Sequence, residues 1–328
     1  MAYSNEVVRK ARAELASRKA DHESITAARL HNAYEQVPRI RQIDMLLRKS
    51  MAVAMQAVFQ TGSDAKAAME EVKQANLALQ QEKKELIERH FGPGYLDETP
   101  ICPQCGGSGY VGSFMCSCLR ELCRQEQEKE ISLLADDGQH FGAFRLDYYP
   151  DRADPKTGIS PRAIMSRSFD ICRDYAQNFT PASGNLLFNG GTGLGKTFLS
   201  ACIAREVAAK GYSVAYETAS HLFSKMEKHR FHPDEETALE MKRLNQCDLL
   251  ILDDLGTELP GNFVTAALYT LVNDRLLAGK AMVISTNLTI DEVGQRYSPQ
   301  IRSRLQGSFQ LLPFVGQDIR VMKNRGLR

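Results

Sequence analysis

The sequence predicts an α/β fold with a parallel sheet in its C-terminal half, preceded by a helical, metal-binding N-terminal half. Three observations predict this. Beyond about residue 160, short apolar runs alternate with helical patterns, the order that builds a parallel sheet with crossover helices. Residues 4 to 91 are almost free of Gly and Pro and rich in Ala, Glu, Lys, Gln and Arg, which favours helix. Between these regions, five of the eight cysteines fall within Cys102–Cys123, too dense a group for chance burial.

At 328 residues the chain exceeds one ordinary core, so more than one domain is expected. The formal net charge of +1 excludes a global basic field, and any nucleic-acid surface must be a local patch. No run of about 18 apolar residues exists, so no transmembrane helix and no membrane partner are expected. The first residues, Met1 to Glu6, lack an apolar signal core, and a cytoplasmic protein is expected. In that compartment cysteines read as metal ligands or buried thiols rather than disulfides.

In the helical region the breaks are Val37-Pro38 and Thr61-Gly62-Ser63-Asp64, where Ser63 or Asp64 can cap the next helix. Val72, Leu79 and Leu86 then recur every seven residues, with Met69 and Ala75 beside them. This stripe predicts a helical hairpin packed on itself, and it also suits a partner-binding module. Phe91-Gly92-Pro93-Gly94 ends the helix. A polar helix is expected over roughly Arg120–Leu134. The boundaries read from composition are a helical region at 1–95, a cysteine-rich module with its connecting helix at 96–140, and an α/β domain at 141–328.

In the C-terminal half Ser160-Pro161 opens a helix with Ile164, Ile171, Tyr175 and Phe179 on its apolar face. Five strands are expected, at Asn185–Asn189, Ser213–Glu217, Asp248–Asp253, Ala281–Ser285 and Ser308–Leu312.

Gly190-Gly191-Thr192-Gly193-Leu194-Gly195-Lys196-Thr197 fits the P-loop pattern at every fixed position, with an apolar strand before it and a helical run after it. Its glycines let backbone N–H groups turn toward phosphates at a helix N-terminus. Lys196 would reach the β- and γ-phosphates of ATP, and the Thr197 hydroxyl would ligate Mg2+. Leu249 to Asp254 reads as a buried strand ending in carboxylates beside that loop. Asp253 would hold the Mg2+, usually through water. Asp254 stands where a longer Glu often activates the attacking water, and its reach is one methylene shorter.

Asn287, in Ser285-Thr286-Asn287, is the candidate sensor of the γ-phosphate. Arg304 is the better candidate for an arginine acting on a neighbouring subunit's nucleotide, and Arg302 the second. Only about 16 residues follow the last strand, too few for a separate helical lid, and Arg320 is the tail arginine placed to return to the phosphates.

The turn Cys102-Pro103-Gln104-Cys105 places two thiolates on one metal, and Cys116 and Cys118 return after a glycine-rich hairpin. Four thiolates make a closed zinc site. The second pair is C-x-C, whose side chains face opposite ways in a straight strand, so a bend is required and Cys123 or a histidine is an alternative ligand. This segment also resembles half of a DnaJ-type zinc module. Cys172, Cys202 and Cys247 sit among apolar residues and read as core.

These motifs resemble the DnaC/DnaI-type helicase loaders and the related IstB transposition-helper ATPases. The resemblance covers roughly Phe141 to Arg320. It rests on Gly184-Asn185-Leu186-Leu187-Phe188, Gly193-Leu194-Gly195-Lys196-Thr197 and Leu252-Asp253-Asp254-Leu255-Gly256. Ser285-Thr286-Asn287, Ile301-Arg302-Ser303-Arg304-Leu305 and Gly316-Gln317-Asp318-Ile319-Arg320 follow in the family's order. It implies an AAA+ P-loop NTPase with a five-stranded parallel sheet and no separate lid domain, acting in helicase loading or transposition. The zinc-bearing N-terminal half is similar to the loader branch, implying a replicative DNA helicase as its partner, single-stranded DNA as ligand, and self-association through the AAA+ domain.

For DNA the informative stretch is Ser220 to His232. It carries Lys225, Lys228, His229 and Arg230 with Phe223 and Phe231 interleaved, the cations and rings that single-strand binding uses. An amphipathic helix burying Leu222, Phe223 and Met226 accounts for the same spacing. A metabolic P-loop kinase is a third reading, against which the Asn287 and Arg304 pattern and the lack of any acceptor-site motif argue.

Overall fold

The computed structural model describes residues 3–58, 63–96, 99–134, 138–155 and 158–324, with backbone alone for 51–58, 63–69, 132–134 and 323–324. Contacts divide the chain into two compact units, one of Ala13–Cys116 and one of Met1–Arg12 with Ser117–Arg328.

The smaller unit holds most of helix α1 (Asn5–Gln36), then α2 (Pro38–Val58), α3 (Ser63–Phe91) and a short antiparallel hairpin of β1 (Tyr110–Val111) and β2 (Phe114–Met115). The first break falls where Val37-Pro38 placed it. Helices α2 and α3 pack on each other. Val72, Leu79 and Leu86 are half-buried along α3, while Ile40 and Ile43 of α2 are fully buried. Ala75, expected beside that stripe, is exposed. Ion pairs of Arg39 with Glu82 at 2.8 Å and Lys83 with Asp44 at 2.7 Å join the same helices. Thr61-Gly62, the capping by Ser63 or Asp64, and the place of Met69 lie outside the described residues.

The larger unit differs from the composition-based boundary near residue 140, because helix α4 (Ser117–Leu134) belongs to it. Leu119, Leu122, Cys123 and Ile131 are buried, and the helix packs on α6 (Lys196–Ala209). Gln127 donates to the Tyr212 carbonyl at 2.9 Å and accepts from the Val214 amide at 3.0 Å, so a polar side chain pins the helix where the next strand begins. The first turns of α1 also belong here, with Tyr3, Val7 and Ala11 buried and the Tyr3 hydroxyl donating to the Gly211 carbonyl at 3.3 Å.

The sheet has five strands, β3 (Asn185–Asn189), β4 (Val214–Thr218), β5 (Leu249–Leu255), β6 (Ala281–Thr286) and β7 (Phe309–Pro313), paired in parallel in the order β4-β5-β6-β3-β7. Each begins within a residue of its expected start. Alternation along β3, β5 and β6 feeds two cores, as a sheet covered on both faces requires. Leu186, Phe188, Ile251 and Val283 pack with Met165 and Cys172 of α5 (Pro161–Gln177) and Leu199 of α6. Leu187, Leu250, Leu252 and Ile284 pack with Leu222 and Phe223 of α7 (Ala219–Phe231), Leu244 of α8 (Glu235–Gln246) and Leu268 of α9 (Asn262–Leu277). Helices α10 (Ile290–Arg296), α11 (Pro299–Ser308) and α12 (Ile319–Asn324) complete the described chain. Ser160 caps α5 by accepting from the Ala163 amide at 3.2 Å, with Pro161 in the first turn. Cys172, Cys202 and Cys247 are buried in the core as read. Among the described residues no helix is long and apolar enough to cross a membrane.

Candidate nucleotide site and cysteine centre

The loop from Gly190 to Gly195 leaves β3, an interior strand between β6 and β7, and enters α6 at Lys196. Two glycines are demanded by their surroundings. A Cβ on Gly190 would lie 2.1 Å from the Phe314 carbonyl oxygen, and one on Gly193 1.9 Å from Asp318 Oδ1. Gly195 caps α6 at φ 90° without a side-chain acceptor, so the first-turn N–H groups stay available to an anion. Buried Lys196 donates through Nζ to the Gly190 carbonyl at 2.7 Å, the Gly191 carbonyl at 2.6 Å and Asn287 Oδ1 at 2.7 Å. Burial lowers its pKa, against the raising pull of Asp254 and Asp253.

A cavity of about 320 Å³ opens here, a size typical of ligand sites. Thr192, Gly193, Leu194, Gly195, Lys196 and Thr197 line it together with Asp254, Asn287 and Arg320. The cavity lining thus gathers six of the eight predicted phosphate-loop residues with three of the four predicted catalytic ones, while Gly190, Gly191 and Asp253 lie outside it. Phe144, Arg145, Tyr148, Tyr149 and Gln139 line it too, residues that no sequence motif marks. Tyr149 is fully buried and donates to the Leu194 carbonyl at 2.9 Å, fixing the loop from below. Gln139 Oε1 is buried without a partner, so a ligand donor would satisfy it.

The carboxylates sit on a bulge. Leu252 pairs with Ile284 and Leu255 with Thr286, so Asp253 and Asp254 together oppose the single residue Ser285. Asp254 has φ 56° and is the one non-glycine residue with positive φ among those described. In an unbroken strand adjacent side chains would face opposite sides. Here the bulge turns Asp254 into the cavity, while Asp253, 2% exposed, accepts from Tyr216 and Ser285. Burial raises the Asp254 pKa, Asp253 adds to this, and Lys196 and Arg320 oppose it. The oxygen donors of Thr197 and Asp253 form a hard set that fits Mg2+.

Arg304 lies on α11, outside the residues lining the cavity. Its Nη2 donates to the Tyr269 hydroxyl at 2.7 Å and to Asn273 Oδ1 at 3.0 Å, and its guanidinium stacks on Tyr269 at 4.3 Å. Arg302 pairs with Asp291 at 3.2 Å.

Helix α7 corrects part of the DNA reading. Phe223 is in the core and cannot stack on a base. Lys225 is held by Glu217 at 2.6 Å and Glu240 at 3.4 Å. Phe231 is 62% exposed, and Arg230 lies over both Phe231 at 5.6 Å and Phe263 at 5.5 Å.

Sγ atoms of Cys102, Cys105, Cys116 and Cys118 lie within 4.8 Å of one another. Zinc at about 2.3 Å from each sulfur needs sulfurs just under 4 Å apart, and Cys102 and Cys116 are 3.7 Å apart. The Gly109 amide donates to Cys105 Sγ at 3.3 Å, as suits a thiolate. Cys118 stands in the first turn of α4 while Cys116 ends the hairpin, which supplies the bend that C-x-C requires. Cys123, fully buried along α4, is not among the four clustered thiols.

Residues 171–301 match a protein-family model described as IstB-like ATP binding protein. An insertion-sequence ATP-binding protein of Mycobacterium tuberculosis is 25% identical over 118 residues, 36% of this chain and 46% of that protein. The ATP-binding protein of insertion sequence IS1162 from Pseudomonas fluorescens is 30% identical over 103 residues, 31% of this chain and 43% of that protein. The chain spans less than half the length of these relatives. Among solved structures, the crystal structure of the DnaC helicase loader superposes with TM-score 0.44 and 19% identity, over 53% of this chain and 98% of that one. Residues 171–301, which include the P-loop, are thus similar to the IstB-like ATP-binding proteins, and they lie in a P-loop α/β domain with a five-stranded parallel sheet.

Proposed function

We propose that this chain is an ATP-dependent DNA replication protein that holds a replicative helicase with its N-terminal half and assists loading onto single-stranded DNA. The observation that carries it is one chain that has a P-loop site, a second unit rich in helix, and a four-cysteine cluster after the helices of that unit. The insertion-sequence relatives favour a second reading, a transposase helper, against which the four-cysteine cluster argues.

In the hydrolytic site Lys196 would exchange its carbonyl contacts for phosphate oxygens, and the α6 N-terminus would hold the same charge. Thr197 and Asp253 would hold Mg2+, which supplies charge neutralisation on the phosphates. Asp254 takes the proton of the attacking water, Asn287 orients that water, and Arg320 faces the phosphates from the same chain. Arg304 acts on a neighbour's nucleotide, so turnover requires self-association. Arg304→Ala is expected to bind ATP normally and lose turnover, and mixing it with Lys196→Ala chains restores part of the activity. Unchanged turnover in Arg304→Ala alone rules this role out. Cys102, Cys105, Cys116 and Cys118 would hold Zn2+ and so fix the end of the helicase-binding unit.

On the DNA side, Lys228 supplies charge, and Arg230 with Phe231 supplies the base platform. The decisive experiment offers the ATP-bound full chain fluorescent single strands, the same sequence as duplex, and purified replicative helicase. Capture of helicase and preference for single strands are expected. Arg230→Ala with Phe231→Ala should weaken single-strand binding by about 10-fold or more, since each stacked base contributes roughly 1–3 kcal/mol, and should leave helicase capture intact. Preference for duplex with no helicase capture establishes the transposase-helper reading instead.

A further inference from the structure

We propose that Ser285 is the positioning residue of the carboxylate pair, with Tyr216 as its second support. The inference rests on the ATPase reading above and adds to it two residues that contact neither nucleotide nor attacking water. Ser285 is fully buried in β6, opposite the two-residue bulge of β5. Its Oγ accepts from the Asp254 amide at 2.9 Å and donates to Asp253 Oδ1. One hydroxyl therefore holds the backbone of one carboxylate residue and the side chain of the other. From β4, on the opposite flank of β5, the Tyr216 hydroxyl donates to Asp253 Oδ2 at 2.9 Å.

The two contacts do separate things. Asp253 receives one protein donor on each oxygen, which fixes its rotamer and leaves a lone pair on each oxygen for the water shell of a cation. The Asp254 amide would be an orphan beside the bulge without Ser285 Oγ, because the bulged residue has left the strand ladder. With that bond the left-handed turn at Asp254 is held in the one geometry that aims its carboxylate at the cavity.

Removing the Ser285 hydroxyl should thus loosen both carboxylates without touching the phosphate-binding loop. The test uses the full chain, a fluorescent ATP analogue with and without MgCl2, and steady-state hydrolysis. Ser285→Ala should bind the analogue in EDTA within twofold of wild type. Its gain in affinity on adding Mg2+ should shrink, and kcat should fall, each by about 10–100-fold, the range for residues that orient metal ligands. Tyr216→Phe, which removes one oxygen only, should need several-fold more Mg2+ for half-maximal activity at nearly unchanged affinity in EDTA. It decides the matter alone if Ser285→Ala does not fold. Wild-type Mg2+ dependence and kcat in the folded variants overturn the assignment while leaving the ATPase reading standing. A wild-type chain that binds no nucleotide overturns both.

Discussion

Asp254→Ala is expected to bind ATP and fail to turn it over. A positioned proton acceptor contributes about 10²–10⁴-fold to a rate, and Asp254 is the carboxylate that lines the cavity beside Lys196 and Asn287. Nucleotide affinity should stay within a few-fold, because the loop and Lys196 do not depend on this side chain. Asp254→Glu is the sharper variant. The position has φ 56°, a region that Asp tolerates and longer side chains enter at a cost of roughly 1–2 kcal/mol. Glutamate should therefore lower stability slightly and restore only a fraction of the rate, although its arm is longer. A Glu variant as fast and as stable as wild type shows that the bulge imposes no constraint there, and an Ala variant of normal turnover removes Asp254 from catalysis.

Chelation is expected to have the other large effect. Structural zinc contributes about 10–16 kcal/mol in small modules, while the segment around Cys102–Cys118 has only a two-residue hairpin pair of its own. Protein purified without chelator should carry about one zinc per chain. Stripping it should expose residues 99–116 to protease and leave ATP binding at the P-loop intact. Metal analysis without zinc ends the idea.

Much of the site was legible because its chemistry fixes residue type and spacing along a short stretch. Gly190 to Thr197 cannot vary much and still wrap phosphates, and Cys102 with Cys105 cannot separate and still share a metal. What escaped depends on register between distant strands. Ser285 and Tyr216 meet Asp253 only because β4, β5 and β6 align Thr218 with Asp253 and bulge at Ser285. Likewise Lys225 counts as a free cation until the fold brings Glu217 and Glu240 to it. Helix α4 looked like a linker because its buried side is narrow and one of its anchors is an amide, Gln127.

The stretch after β7 is stitched directly to the phosphate loop. The Ile319 amide donates to the Gly193 carbonyl at 3.0 Å, and the Asp318 carboxylate occupies the space that any side chain at Gly193 would need. Arg320 is thereby carried on the same few bonds as the loop that grips phosphate. A displacement of the loop by a γ-phosphate cannot occur without straining or shifting these residues, and the converse holds with equal free energy. Occupancy of the site would in this way be felt in the segment Gln317 to Arg320, where the side chains of Gln317 and Arg320 are exposed.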